Sequence, residues 1–122
     1  MMRGFFTTKT QAAPGAALLP RCGACGLADK CRSPKLQPGG TGSAGVLYVD
    51  ANPDHDSDRA GTWFAGAPGA ALRATVRRLG HRLEDGWHYG ATVCHAARGA
   101  TAAQVDHCEA NITQQLRELR PV

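Results

Sequence analysis

Cys22, Cys25, Cys31, Cys94 and Cys108 are the residues of this chain whose types and spacing best suit chemistry. Five cysteines are many for 122 residues, and the odd number argues against a fully paired disulfide framework. In a reducing compartment structural disulfides are rare, so metal binding or thiol redox chemistry leads. Cys22 and Cys25 form a C-x-x-C pair, a spacing that lets one tight turn aim two thiolates at one metal. Cys94 ends a strand-like segment, and Cys108 falls on the inner stripe of the helix pattern that follows. Together the four suit a [4Fe–4S] cluster or a structural zinc. Spacing alone does not choose: zinc usually draws two local C-x-x-C pairs, whereas a second pair spread over strand, loop and helix leans towards the bulkier cluster. The plain alternative for Cys94 and Cys108 is two buried, inert thiols. A thioredoxin-type redox pair normally follows a strand and opens a helix, but this C-x-x-C precedes the first clear strand.

A second candidate is the acidic run "DANPDHDSD", with Asp50, Asn52, Asp54, Asp56 and Asp58 on alternate positions. A twelve-residue calcium loop needs Gly at its sixth position and Glu at its twelfth. Counted from Asp50, those positions hold His55 and Gly61. The run reads instead as an acidic loop after a strand.

The elements that must position these residues follow from periodicity. Residues 1–20 read as an extended arm and 21–122 as one domain. "SPKLQPGGTGSAG" is a breaker-rich connector. "GVLYV" (Gly45 to Val49) is a short continuous apolar run, as in a buried parallel strand. A helix is expected from about Ala70 to Leu79, with Leu72, Thr75, Val76 and Leu79 on one face and Gly80 past its end. Arg73, Arg77 and Arg78 point elsewhere. "WHYGATVC" (Trp87 to Cys94) reads as a second strand. A last helix starts at Thr101, which forms a capping-box pattern with Gln104, and carries the stripe Val105, Cys108, Ile112, Leu116 and Leu119. Strand–helix–strand order predicts a parallel α/β sheet. Two strands make a poor sheet core, and "Pro-Val" after the last helix looks like the lead-in to a further strand.

The net charge of +4 favours polyanionic partners. No apolar run is long enough to span a bilayer, and "MMRGFF" lacks a signal peptide's long apolar region. A cytoplasmic protein without membrane contact is the expectation.

In order and spacing, "CGACGLADKCRSPK", "GVLYV", Pro53, Asp58, "GTWFAG" with Gly69 and Leu72, "W…TVC", and a cysteine in a helix ending "LRELRPV" resemble the N-terminal part of a family. That family is the iron–sulfur (family-4 type) uracil-DNA glycosylases, especially the branch also found attached to phage DNA polymerases. The resemblance covers almost the whole chain. It implies a three-layer, parallel-sheet fold of which this chain carries the N-terminal half, C-terminally truncated. It implies Cys22, Cys25, Cys94 and Cys108 as ligands of a [4Fe–4S] cluster, with zinc the alternative. Cys31 matches a cysteine common in that branch and is left without a role.

The resemblance also sets out catalytic slots. The family's Gly-Glu-Ala-Pro-Gly loop, which lies against the flipped-out uracil and positions water, falls on Asp50, Ala51, Asn52, Pro53 and Asp54, where only the proline is kept. Its uracil-reading Asn aligns with Gly90, and its stacking aromatic with Phe64. Its Cys-Arg-Pro segment becomes Cys94-His95-Ala96, and its C-terminal His motif has no counterpart here. Asn52, Phe64, Gly66 and Gly69 are the expected substrate-binding residues. From the residues themselves, Gly66, Gly69 and the helix N-terminus after them offer free N–H groups for a DNA phosphate, with Arg73, Arg77 and Arg78 for further backbone contacts; the alternative is a solvated basic helix face. The implied function is a uracil-DNA-glycosylase-like iron–sulfur protein of base-excision repair or phage DNA metabolism, degenerate or incomplete as a catalyst. The implied partners are DNA, bound weakly and without sequence preference, and a second chain completing the domain or a DNA polymerase. Two alternatives stand beside it: a non-catalytic DNA-binding or polymerase-associated iron–sulfur module, and a small zinc-binding structural protein.

Overall fold

The computed structural model describes residues 24–122. The expected arm over 1–20, and Cys22, lie outside the described residues. The apolar run after the connector forms a strand, as its composition demands, and so does the start of "WHYGATVC". Three strands, β1 (Gly39–Gly40), β2 (Leu47–Asp50) and β3 (Trp87–Gly90), make one sheet in the order β1-β3-β2. β2 and β3 run parallel, with Leu47 opposite Trp87 and Asp50 opposite Gly90. β1 pairs antiparallel with β3, so the sheet is mixed rather than all parallel. The chain is mixed α/β. The connector supplies this unforeseen strand because its Gly-Gly pair lies flat along β3: a side chain on Gly40 would run into the Gly86 carbonyl at 1.9 Å.

The second expected strand stops at Gly90, short of Cys94. Residues 91–96 turn out of the sheet and become a loop held by side chains, described below. Along β2, the carbonyls of Val46 and Asp50 accept from Trp87 and Ala91, on the β3 side. The Gly45 carbonyl accepts from Val122 N at 2.8 Å, which lays the last residue beside the start of β2.

Two helices fill the parallel crossover. α1 (His55–Ala60) arises inside the acidic run, where a loop was expected. Asp54 is its N-cap, the side chain accepting from Ser57 N at 2.8 Å, and Gly61 ends it in the left-handed conformation. α2 (Ala67–Arg78) begins three residues earlier than periodicity suggested, with Pro68 in its first turn, where a missing N–H costs nothing. Val76 is buried and Leu72 half-buried, but Leu79 is 71 % exposed and Thr75 is exposed, so the inward face is narrower than expected.

α3 (Ala102–Leu119) has the predicted capping box in full: Thr101 Oγ1 accepts from Gln104 N, and Gln104 Oε1 accepts from Thr101 N. Its packed face differs from the apolar stripe. Cys108, Asn111 and Gln115 are buried and Ile112 partly so, whereas Val105 and Leu116 are exposed. The inward face is thus partly polar, with Asn111 donating to Cys108 one turn back on the same helix.

The core joins Trp63, Phe64, Leu83, Tyr89 and Val93 to Ala28, Leu36, Cys94 and Cys108. Trp63 donates its indole N–H to the Gln37 carbonyl at 2.9 Å, so its polar atom is satisfied at full burial. Among the described residues, no helix is long and apolar enough to cross a membrane.

One buried carboxylate ties the cysteine-bearing loop to this frame. Asp58, 6 % exposed, accepts from Arg32 N at 3.0 Å and Ser33 N at 2.8 Å. Charge-assisted bonds of this kind are among the stronger ones. Asp58→Ala leaves both amides without their acceptor and is expected to cost about 2 kcal/mol or more, read as a lowered urea midpoint; an unchanged midpoint would show that water replaces the carboxylate.

Candidate metal centre and diverged catalytic loops

Loop 31–36, loop 91–96 and the first turns of α3, which carry Cys31, Cys94 and Cys108, meet at one pole of the molecule. Loop 31–36 lies along residues 93–95: Leu36 N donates to Val93 O at 2.8 Å, and Lys35 N donates to Cys94 Sγ at 3.2 Å. Cys108 sits on α3, and Asn111, one turn on, donates its side-chain N–H to Cys108 Sγ at 3.4 Å. The turn carrying Cys25 is tethered to α3, because Gln104 Nε2 donates to the Cys25 carbonyl at 3.3 Å. Cys94 and Cys108 are buried; Cys25 and Cys31 are partly buried.

The donor set suits a thiophilic metal. N–H groups aimed at sulfur are what thiolate ligands require, since they offset the charge the sulfur keeps. Both buried cysteines have one. As the side chains lie, no three His, Cys, Asp or Glu residues stand close enough together to hold a metal ion among the described residues. Cys22 belongs to the expected ligand set but not to the described residues.

Cys31 Sγ donates towards Leu27 O at 3.1 Å and His95 O at 3.3 Å, and also lies against the Cys94 side chain. Burial, and then the Asp58 carboxylate, push this thiol above the ordinary cysteine range.

Beyond the carboxyl ends of β2 and β3 lie the two loops that were expected, by resemblance, to hold diverged catalytic residues. Asn52, expected against substrate, spends its amide inside the protein. Its Nδ2 donates to Thr92 Oγ1 at 2.6 Å and to Cys94 O at 2.9 Å, and its Oδ1 accepts from Ala96 N at 3.2 Å. Thr92 passes its own proton to Ala51 O. Pro53 is fully buried, and its carbonyl accepts Nδ1–H of His95 at 2.7 Å. That bond requires a proton on Nδ1, and the ring stands edge-on to His55 with centroids 6.1 Å apart. Asp50 ends β2, with Oδ1 accepting from Ala51 N; burial raises its carboxyl above the usual range despite the N–H groups around it.

The expected base pocket is filled. A side chain added at Gly90 would meet the Trp63 ring at 2.4 Å and Thr92 O at 2.7 Å. Phe64 is only 7 % exposed and packs edge-to-face on buried His88, with centroids 5.2 Å apart. Its backbone is in the left-handed region, φ 58, unusual for an aromatic residue. The Phe64 carbonyl lies against Gly69, where any Cβ would approach within 2.1 Å. Gly69 is thus a packing glycine. Gly66 caps α2, but the carboxylates of Asp54 and Asp56 lie 2.6 Å and 3.0 Å from where its Cβ would be. The N-terminus of α2 already faces two anions, and a DNA phosphate arriving there is repelled. Arg73 pairs with Glu84 and holds that carboxyl below the usual range; Arg77 and Arg78 are exposed in the last turn of α2.

Sequence reasoning missed the hydrogen-bonding roles of Asn52, Asn111 and Gln104. Only the capping-box pattern gave a signal for one of them. A cavity of about 350 Å³ lined by Ala44, Val46, Tyr48, Gly80, His81, Arg82 and Asp85 involves none of the residues expected to bind substrate. No protein-family model matches the chain, and no curated protein matches it.

Asp50 gives a pH test. Because the folded state raises its carboxyl, that state holds the proton more tightly than the unfolded chain. Stability is therefore full below the ordinary value of 3.8 and falls as pH rises through the folded value. Asp50→Asn keeps the acceptor for Ala51 N and should raise Tm at neutral pH, with the gain vanishing as pH falls below 3.8. A gain that persists in acid would assign it to packing instead of charge.

Proposed function

We propose that this chain is a uracil-DNA-glycosylase-like iron–sulfur protein that engages DNA and does not by itself excise uracil. The observation that supports the reading is that the two buried sulfurs, Cys94 and Cys108, each receive an N–H, while the turn carrying Cys25 is tied to the helix carrying Cys108. Cys22, Cys25, Cys94 and Cys108 are the proposed ligands, with zinc as the other occupant. When bound, such a centre supplies a rigid cross-link between the cysteine loop, the loop after β3 and α3.

Hydrolysis of the N-glycosidic bond adds water to the sugar carbon and releases uracil as an anion. The reaction needs an oriented water, donors on the base edge and charge stabilisation for the leaving group. Ala51 offers the water only a methyl group. Gly90 offers the base edge no amide, and Trp63 takes the space an amide would need. Phe64 is committed to His88. Loss of one transition-state donor alone typically costs about a hundred- to a thousandfold in rate. DNA engagement is left to exposed cations, of which Arg77 and Arg78 are adjacent and uncompensated by the Arg73–Glu84 pair.

Anaerobically purified protein should be brown and carry iron and sulfide, and should leave a uracil-containing strand intact to alkaline cleavage. Stoichiometric zinc in colourless protein would replace the iron–sulfur reading with the structural-zinc one. Abasic sites formed at a glycosylase-like rate would overturn the inactive reading.

DNA binding should be weak, indifferent to sequence and strongly salt-dependent. Replacing both Arg77 and Arg78 by Ala should flatten the slope of log K against log salt by about 2, roughly one unit per lost phosphate contact. An unchanged slope places the DNA elsewhere.

A further inference from the structure

The cavity beside β2 lies at the amino ends of the parallel strands, away from the loops that carry Asn52 and Cys94. Its volume is about 350 Å³, within the range of roughly 300–1,000 Å³ that small-ligand sites occupy. Two segments wall it. One is the start of β2 and its approach, with Ala44, Val46 and Tyr48; the other connects α2 to β3 and supplies His81, Arg82 and Asp85. Hydrogen bonds between the segments hold the walls together: Ala44 N donates to Asp85 O at 2.8 Å, and Trp87 N to Val46 O at 2.8 Å. The Tyr48 ring is fixed as well. It lies 2.5 Å from where a Cβ on Gly86 would be and stands edge-on to His88, with centroids 6.3 Å apart.

The lining makes three different demands on an occupant. Tyr48, Val46 and Ala44 offer apolar surface. Arg82 offers a fork of N–H donors and His81 a ring nitrogen, whereas an ionised Asp85 offers only acceptors. Among the described residues neither Arg82 nor Asp85 is in an ion pair. Inorganic phosphate would satisfy Arg82 and be repelled by Asp85. An apolar molecule would strip water from both charges and pair neither. A free amino acid would answer Asp85 with its ammonium and Arg82 with its carboxylate. Yet Arg77 and Arg78, exposed in the last turn of α2, lead into the same segment, so the cations there exceed what one carboxylate neutralises. A phosphate joined to a flat base with N–H groups meets all three demands.

We propose that this cavity binds one unpaired nucleotide: the base lies against Tyr48 and Val46 with an N–H edge on the Asp85 carboxylate, and the phosphate sits on Arg82 and His81. A carboxylate is best satisfied by two parallel N–H bonds, which favours guanine, whose pairing edge presents an imino and an amino N–H side by side. The site stands whether or not the cysteines hold a metal. It needs no DNA strand either, since a free nucleotide carries every group the lining asks for.

The test titrates isotope-labelled protein with guanosine monophosphate and reads the NMR shifts of the Ala44, Val46, Gly80 and Asp85 amides. The shifts should saturate, with binding about tenfold tighter than for adenosine monophosphate, inorganic phosphate or free tryptophan. Arg82→Ala should weaken binding about tenfold, the loss typical of a charge-assisted bond. Asp85→Asn should remove the preference over adenosine monophosphate. Neither substitution breaks an ion pair of the fold. No shift of the cavity amides at millimolar guanosine monophosphate overturns the proposal, as does equal binding of adenosine monophosphate, phosphate or tryptophan. A guanine-containing single strand and its duplex then identify the source of the nucleotide. Tighter binding of the single strand than of the monophosphate supports the site and assigns it to unpaired DNA; the reverse supports it as a site for a free nucleotide. A duplex that shifts these amides as strongly as the single strand overturns it, because a paired edge has no N–H left for Asp85.

Discussion

The carboxamide of Asn52 holds the two loops at the carboxyl ends of β2 and β3 in one piece. Its three hydrogen bonds to Thr92, Cys94 and Ala96 cross about forty residues of sequence. They replace the ladder that ends when the chain leaves β3 at Gly90. Without them the segment carrying Cys94 has no sheet partner of its own, and its buried carbonyl and amide lack partners, a cost typically comparable to their full desolvation. The path of loop 91–96 then sets the seam with loop 31–36, the placement of the Cys94 sulfur, and the pole where α3 docks.

The same packing that makes the frame stable fills the space beside Gly90. Trp63 reaches full burial by sending its ring against Gly90 and its N–H to Gln37. Burying an aromatic side chain contributes roughly 1.5–3 kcal/mol, so the ring has little reason to vacate the space. Electrostatics point the same way. The acidic residues that look like a diverged catalytic loop are used as an N-cap (Asp54), as a buried anchor (Asp58) and as a screen beside the N-terminus of α2 (Asp54 with Asp56).

What the sequence made legible was whatever rests on local rules. The apolar run of β2, the parallel pairing with β3, the capping box at Thr101 and the left-handed Gly80 after α2 follow from composition and near neighbours. The helix over His55–Ala60 was hidden because alternate acidic residues mimic a ligand loop, although the N-cap that starts it, Asp54, is a local feature. The antiparallel Gly39–Gly40 strand carries no periodicity, since two glycines have no pattern to show. The packed face of α3 was misread because it includes the buried polar residues Asn111 and Gln115, the former donating to Cys108 one turn back on the same helix. Periodicity counts apolar residues and is blind to a polar side chain whose partner is a sulfur. For the site, residue type and order pointed to Cys25, Cys94 and Cys108 as one ligand set, but no three metal-ligating side chains stand together among the described residues. The surroundings of Cys31 were not legible, because both their anchor and one acceptor lie more than twenty residues off.

The seam between loop 31–36 and loop 91–96 also has a meaning for how the chain is made. The contacts that close the thiol pole span 59, 64 and 79 residues, so they belong to the slow, loop-closing part of folding. During synthesis from the N-terminus, Cys25 and Cys31 emerge long before Cys94, Cys108 and α3 exist to cover them. At ordinary elongation rates of about 5–20 residues per second, the early thiols wait for several seconds in an open chain. In that interval they are reactive side chains on an unfinished polypeptide, exposed to oxidants and stray metal ions, and their protection lies in the reducing power of the surroundings rather than in the fold.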